Sequence, residues 1–189
     1  MLPEHFTPVP LDKSYRLMNH GPTVLVSAAQ DGAVNVMAAA WACVLDFGQH
    51  PKVTVVLDKA TRTREMIEAT GYFALQLPTQ AMAALTVGVG TDSAREVPDK
   101  LERHGVRTFA APGSGVPLVQ RCVGWLVCRC LPEPRNQEVY DLFIGDVLAA
   151  WADERVFRDG RWHFDTAPDA LRTIHHVAGG QFLLTGRAI

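Results

Sequence analysis

The chain has 189 residues, 18 Lys and Arg against 20 Asp and Glu, a formal net charge of −2 and 48% hydrophobic residues. That length buries one good core and that apolar fraction excludes a disordered chain, so one domain over residues 1–189 is expected. The near-neutral charge, with the arginines of 121–172 interspersed among acids, argues against nucleic acid as a partner.

At the start, Met1-Leu-Pro-Glu-His-Phe6 lacks the basic residues and apolar stretch of a signal peptide. No apolar run approaches the roughly 20 residues that span a bilayer, so the reading is a cytoplasmic protein without a membrane partner. Residues 22–29 and 34–42 read as two strands joined at Asp31-Gly32, a dipeptide that supplies the positive φ of a hairpin turn. A loop through Gly48 and Pro51 leads to the β-branched run Lys52–Leu57, a third strand.

From Thr61 the apolar period changes to that of a helix, with Thr61 at the N-cap and Gly71 at the C-terminal cap. Tyr72–Leu77 is another strand. Pro78-Thr79 then opens a second helix with Ala81, Met82, Leu85 and Val89 as its apolar stripe. Residues 88–117 read as a Gly-, Pro- and charge-rich surface insertion or lid, with a short helix around Asp99–His104. Arg121–Leu131 and Glu138–Ala150 read as two long strands separated by Pro132-Glu-Pro-Arg-Asn136, and 155–164 as a hairpin around a second Asp-Gly.

The four cysteines, Cys43, Cys122, Cys128 and Cys130, form no CxxC pair, and Cys128 and Cys130 are expected to be buried thiols. Trp41, Trp125, Trp151 and Trp162 read as core or interface residues, Trp41 being the one to watch near a ligand. Seven or more strands joined mostly by hairpins favour a closed antiparallel barrel with helices packed outside it.

Several chemistries are excluded. Gly88-Val-Gly90 follows no strand and has Ser93 where a dinucleotide fingerprint needs its third glycine. There is no Walker loop, no His-Glu-x-x-His and no Gly-x-Ser-x-Gly elbow.

Two features point to a ligand. Met37-Ala-Ala-Ala40 places small side chains at a strand end, where an aromatic plane such as an isoalloxazine ring reaches the backbone; a crowded barrel corner is the other reading. Thr61-Arg62-Thr63 offers hydroxyls, a guanidinium and the free N–H groups of a helix start, the set that holds a terminal phosphate; ordinary capping beside a solvated arginine is the alternative.

These pieces, together with the opening Pro22-x-x-Leu25-Val-Ser27, Asn35 ahead of Ala40-Trp41, Thr70-Gly-x-Phe73 and Leu142-Phe-Ile-Gly-Asp-Val147, resemble the flavin reductase-like family. The resemblance covers roughly residues 20 to 150, and His175-His-x-x-Gly-Gly180 is similar to the flavoredoxin-type branch. It implies a mainly β fold with peripheral helices, an antiparallel FMN-binding split β-barrel. It implies a homodimer with one FMN per subunit, held by Asn35, Met37, Ala38, Ala39, Ala40, Trp41, Ala42, Thr61, Arg62 and Thr63. Gln76 is placed beside the site.

The function so implied is an FMN-dependent oxidoreductase passing electrons from NAD(P)H or a protein donor to an acceptor. Many NAD(P)H-using members carry Asp-His before the Phe-Ile-Gly strand, where this chain has Val139-Tyr140, which favours the alternative of a tight FMN-binding, flavoredoxin-like electron-transfer protein. His176 is the candidate catalytic residue, a histidine beside a glycine pair that stabilises charge on reduced flavin. The other reading makes Leu171, Ile174 and Val177 a helix ended by Gly179, with both histidines capping it or facing solvent.

Overall fold

A computed structural model describes residues 21–189; the expectation at Met1–Phe6 lies outside the described residues. The hairpin forms as read, with β1 (Val24–Gln30) and β2 (Ala33–Ala39) turning at Asp31 (φ 52°) and Gly32 (φ 79°). Positive φ at both central residues is the turn whose twist matches the strands it joins. There follow β3 (Ala42–Val44), β4 (Lys52–Val56), α1 (Arg62–Thr70), β5 (Tyr72–Gln76), α2 (Ala83–Thr91) and α3 (Lys100–Arg103). The second half holds β6 (Thr108–Ala110), β7 (Pro117–Val119), β8 (Gly124–Leu131), α4 (Pro134–Tyr140) and β9 (Leu142–Ala152). Two hairpins follow, β10 (Phe157–Arg158) with β11 (Arg161–Trp162), and β12 (Ile174–His176) with β13 (Phe182–Leu184).

The main sheet is antiparallel throughout, in the order β2-β1-β5-β8-β9-β4-β3. Its edge strands β2 and β3 are consecutive in the chain, separated only by Ala40 and Trp41. Two edges tied by so short a connection force the sheet to curl until they meet. The Val56 N–H donates to the Trp41 carbonyl at 3.0 Å, extending the β3–β4 ladder by one residue into the connection. No ladder pairs β2 with β3 among the described residues, so the result is a curled, split half-barrel rather than the closed barrel expected.

Alternation along β1 feeds two cores. Val24, Val26 and Ala28 face the inside of the curl with Val53, Val55, Leu57, Met66, Ile67, Phe73 and Phe143, while Leu25 and Val36 pack outward under Met82 and Val89 of the α2 segment. Phe73 is sealed against Gly145, where a Cβ would stand 2.6 Å from its ring, so β9 needs a glycine at that point.

Three expectations are corrected. Residues 138–140 belong to α4, because Pro134 starts a helix and Asp141, in the left-handed conformation (φ 54°), ends it. Residues 174–176 are strand, not helix, and pair with β13. The 88–117 segment lies largely at the surface, as expected of an insertion, with Val89, Lys100, Ala111, Val116 and Pro117 as its buried anchors. In the second helix Ala81 is exposed while Met82 and Val89 are buried.

Cys122 and Cys128 are buried free thiols, Cys130 is half-buried, and Cys43 is exposed. Trp41, Trp151 and Trp162 are exposed rather than core, whereas Trp125 is half-buried, with Nε1 donating to the Val119 carbonyl at 2.9 Å. No helix among the described residues is long and apolar enough to cross a membrane.

Candidate functional site

The start of α1 is built by Asp58. Its side chain accepts the Ala60 N–H at 2.7 Å, and its carbonyl accepts both the Thr61 N–H at 3.0 Å and the Thr61 hydroxyl at 2.8 Å. Thr61 therefore stands at the N-cap with extended backbone, yet its hydroxyl is turned back to Asp58 and caps nothing. The first N–H groups of α1 are left without a side-chain cap, which is the condition for anion binding at a helix start.

One strand away, the Asn35 Nδ2 donates to Thr63 Oγ1 at 2.9 Å, and both side chains are buried. The Asn35 Oδ1 is buried and has no partner among the described residues. An orphaned buried acceptor costs about 1–3 kcal/mol, so it calls for a donor from outside the chain.

Arg62 and Arg95 converge on one carboxylate: Glu65 holds Arg62 in an ion pair and accepts Arg95 Nη2 at 3.2 Å, and Arg62 is the main cause of its lowered pKa. Arg64, two residues on, points the other way. It is 5% exposed and donates to the Leu57 carbonyl at 3.1 Å and the Gln137 carbonyl at 2.9 Å, with Asp141 and Glu68 as ion-pair partners and the Phe143 ring beneath. Arg64 thus clamps α4 to the barrel, while Arg62 is left for the cleft.

Three concavities meet along β2. One of about 520 Å³ is lined by Asn35, Thr61–Thr63, Arg62, Arg95 and Lys100. A second, about 270 Å³, lies between Met37–Trp41, Val56, Asp58 and Asp141. The third, about 280 Å³, is walled by Ala38–Ala40, Thr86, Gly90, His176 and Phe182. Met37 and Asp58 join the first to the second, Gly90 and Thr91 join the first to the third, and Ala38–Ala40 are common to the second and third.

Because β2 is an edge strand, its outer N–H and C=O groups are not used by the ladder. The α2 backbone approaches it closely at Gly90, where a Cβ would stand 3.1 Å from that of Ala38. The small residues therefore mark a strand edge left open along its length.

The structure brings Asn35, Met37–Trp41 and Thr61–Thr63 to these connected clefts, and His176 to the wall of the third, its ring edge-on to Phe182 at 5.6 Å. Ala42 lines none of them; it pairs with Val55 and packs on the inner core. Gln76 is also absent: fully buried, it donates to Ser27 Oγ at 2.8 Å and accepts the Val119 N–H, tying β5 to β1 and β7. Thr86, Gly90, Arg95 and Lys100 were missed, although the charge density of 92–104 and the glycines of α2 signalled them.

Residues 15–170 match the model of the flavin reductase like domain. The chain is 42% identical over 187 residues to the uncharacterized protein YddH of Escherichia coli K12, covering 97% of each. It superposes on the FMN-binding domain of a flavin reductases-like enzyme from Shewanella baltica OS155 with a TM-score of 0.88 and 54% identity, over 96% of this chain and 94% of that one. Flavoredoxin from Desulfovibrio vulgaris shares the fold at a TM-score of 0.76 and 24% identity, over 89% and 88% of the two chains. With the domain model spanning most of the chain and a half-barrel whose edge strands meet at Ala40-Trp41, the protein belongs to the flavin reductase-like family.

Proposed function

We propose that the chain binds FMN along the open edge of β2 and works as a flavin-dependent oxidoreductase of the flavin reductase-like class. The observation that carries this is the pairing of an uncapped α1 start with the orphaned Asn35 Oδ1 at one end of a cleft continuing along Met37–Ala40. The donor set fits the group: helix N–H groups and Arg62 match a phosphate, and an acceptor matches a hydroxyl of the ribityl chain. The edge N–H and C=O groups of β2 match the polar rim of the flavin ring.

When bound, FMN supplies the redox chemistry. The protein's own residues position and shield it. In the segment Thr61–Thr63, the Arg62 side chain and the uncapped N–H groups of the first turn of α1 hold the phosphate end; Met37–Trp41 present backbone to the ring, with Ala38–Ala40 leaving room for it; Asp58 fixes the loop before α1. His176 stands at the wall of the third cleft, its main-chain N–H anchored on Thr23 Oγ1 at 2.9 Å, which places the imidazole beside the ring.

The homodimer implied by the resemblance has support in the exposed apolar run Trp41, Val44, Leu45 and Phe47 (97% exposed) on the edge strand β3 and its loop. A second copy laid there would cover the Trp41 cleft.

One observation favours the flavoredoxin-like electron-transfer reading: Val139 and Tyr140, both exposed on α4, stand where nicotinamide-using members carry Asp-His. Anaerobic addition of NADH or NADPH to the FMN-loaded protein separates the two. Bleaching of the flavin absorbance marks a nicotinamide-driven reductase; persistence of the band, with reduction by dithionite, marks a protein that receives its electrons from a partner.

A further inference from the structure

The third cleft, about 280 Å³, is walled by the Ala38–Ala40 edge of β2, by α2 and by the β12–β13 hairpin. Its volume falls just short of the roughly 300–1,000 Å³ of pockets that take drug-sized ligands, so it suits one small ring rather than a dinucleotide. Ala38–Ala40, Val87 and Phe182 make most of the wall apolar, and among the described residues no Asp, Glu, Lys or Arg lines it.

The three hydroxyls of the wall differ in what they hold. Thr23 Oγ1 accepts the His176 main-chain N–H at 2.9 Å, and Thr91 Oγ1 donates to the Val87 carbonyl at 2.9 Å. Thr86 is 1% exposed, and its Oγ1 is buried with no partner among the described residues. The usual resort of a threonine inside a helix is the carbonyl four residues back, taken by Thr91 and, in α1, by Thr70 on Met66 at 2.8 Å. Thr86 does not take it. An unmet buried hydroxyl is destabilising, and a valine of the same shape would fill the place without that penalty.

We infer that the third cleft is a binding site for a neutral single-ring molecule carrying a carbonyl oxygen, and that Thr86 selects it by donating its hydroxyl to that oxygen. The apolar wall takes the ring, and the lack of a lysine or arginine disfavours a carboxylate or a phosphate. Threonine in a helix has two populated χ1 settings, so a turn of the side chain presents the hydroxyl to the cavity its residue lines. His176 and Phe182, ring edge to face at 5.6 Å, form the hairpin's share of the wall. The cleft shares Ala38–Ala40 with the second, so a molecule bound there lies next to the proposed flavin. Any part it plays as the flavin's reaction partner rests on the FMN reading; the binding itself does not.

The test is ligand binding by saturation-transfer NMR, on the full chain as purified and again after addition of FMN. Acetophenone, its hydrocarbon counterpart isopropylbenzene and the charged benzoate are the probes. We expect acetophenone to bind in both states, and more tightly than benzoate. Thr86→Val should weaken acetophenone about three- to ten-fold and leave isopropylbenzene unchanged. Its thermal stability should match or exceed that of the wild type, since it removes an orphaned hydroxyl, and Thr86→Ser should retain most of the acetophenone affinity. No acetophenone binding, equal affinity in wild type and Thr86→Val, equal weakening of isopropylbenzene, benzoate bound as tightly as acetophenone, or displacement of acetophenone by FMN overturns the proposal. A loss of stability in Thr86→Val marks the hydroxyl as a structural contact and overturns it too. A chain that takes up no FMN yet binds acetophenone through Thr86 upholds the cleft and contradicts the FMN reading alone.

Discussion

The Asn35 amide donates to the Thr63 hydroxyl at 2.9 Å, a buried bond that ties the open edge strand β2 to the first turn of α1. It fixes the spacing between the two halves of the proposed flavin site and leaves Asn35 Oδ1 buried without a partner among the described residues. Asn35→Ala removes both functions and leaves the Thr63 hydroxyl buried without its donor. We expect a stability loss of about 1–3 kcal/mol by urea unfolding, and FMN binding weakened by more than that loss of fold explains. Unaltered FMN affinity in a folded Asn35→Ala protein would falsify the assignment of Asn35 to the site.

Arg62 and Arg64, separated by one residue, have opposite duties. Arg64 is buried and bonded to two carbonyls and two carboxylates, so Arg64→Ala should cost about 3 kcal/mol, nearer the lower end for a broken buried pair because Asp141 and Glu68 keep contact with water. Arg62→Ala should leave stability nearly unchanged and weaken FMN binding. A melting series beside a flavin titration checks both; Arg62→Ala as destabilising as Arg64→Ala would contradict the division.

The thiols should react in a fixed order. Burial pushes Cys128 up to about 12, with Asp146 adding to the effect, and raises Cys122 as well. Cys130 is also raised, by burial first and then by Glu68. Since the thiolate is the reactive form, Cys43 on the exposed strand β3 should label first with a disulfide reagent and the other three only on unfolding. Rapid native labelling of Cys122 or Cys128 would show that the packing around β8 is wrong.

Acid should loosen the network around the phosphate cleft. Arg62 chiefly, and Arg95, hold the Glu65 pKa below 4.5, and His104 chiefly holds that of Asp92 below 3.8. Folded values below unfolded ones mean that each carboxylate contributes stability above its unfolded pKa of about 4 and loses it as pH falls through the folded value. Glu65→Gln should therefore be less stable than wild type near neutrality, the difference closing as pH drops below about 4. A gap that stays constant in acid would separate Glu65 from this linkage.

The Asp31-Gly32 hairpin, the β4 strand, α1 with its Gly71 cap and the small-residue edge were legible because each has a local cause: positive φ, β-branched residues, a helical period, missing side-chain bulk. The α4 helix was misread because Glu138-Val-Tyr140 has no alternation to separate a strand from a helical turn, and the deciding contacts come from Arg64, far off in sequence. His176 fell on a strand because its partner, Phe182–Leu184, lies beyond a glycine turn that also imitates a helix cap. Gln76 looked like a site residue for want of any local sign of Ser27 and Val119, its buried partners. Arg95 and Lys100 reach the cleft by a chain reversal after α2, a tertiary fact without a motif.

The measurement that bears most directly on the central claim is a titration of FMN into the purified wild type and into the double variant Arg62→Ala with Thr63→Ala, followed by flavin fluorescence. The wild type should take up FMN saturably, and the double variant should bind it at least about ten-fold more weakly. A wild type that takes up no FMN, or a folded double variant that binds it as tightly, would contradict the claim that the α1 start and the β2 edge form a flavin site.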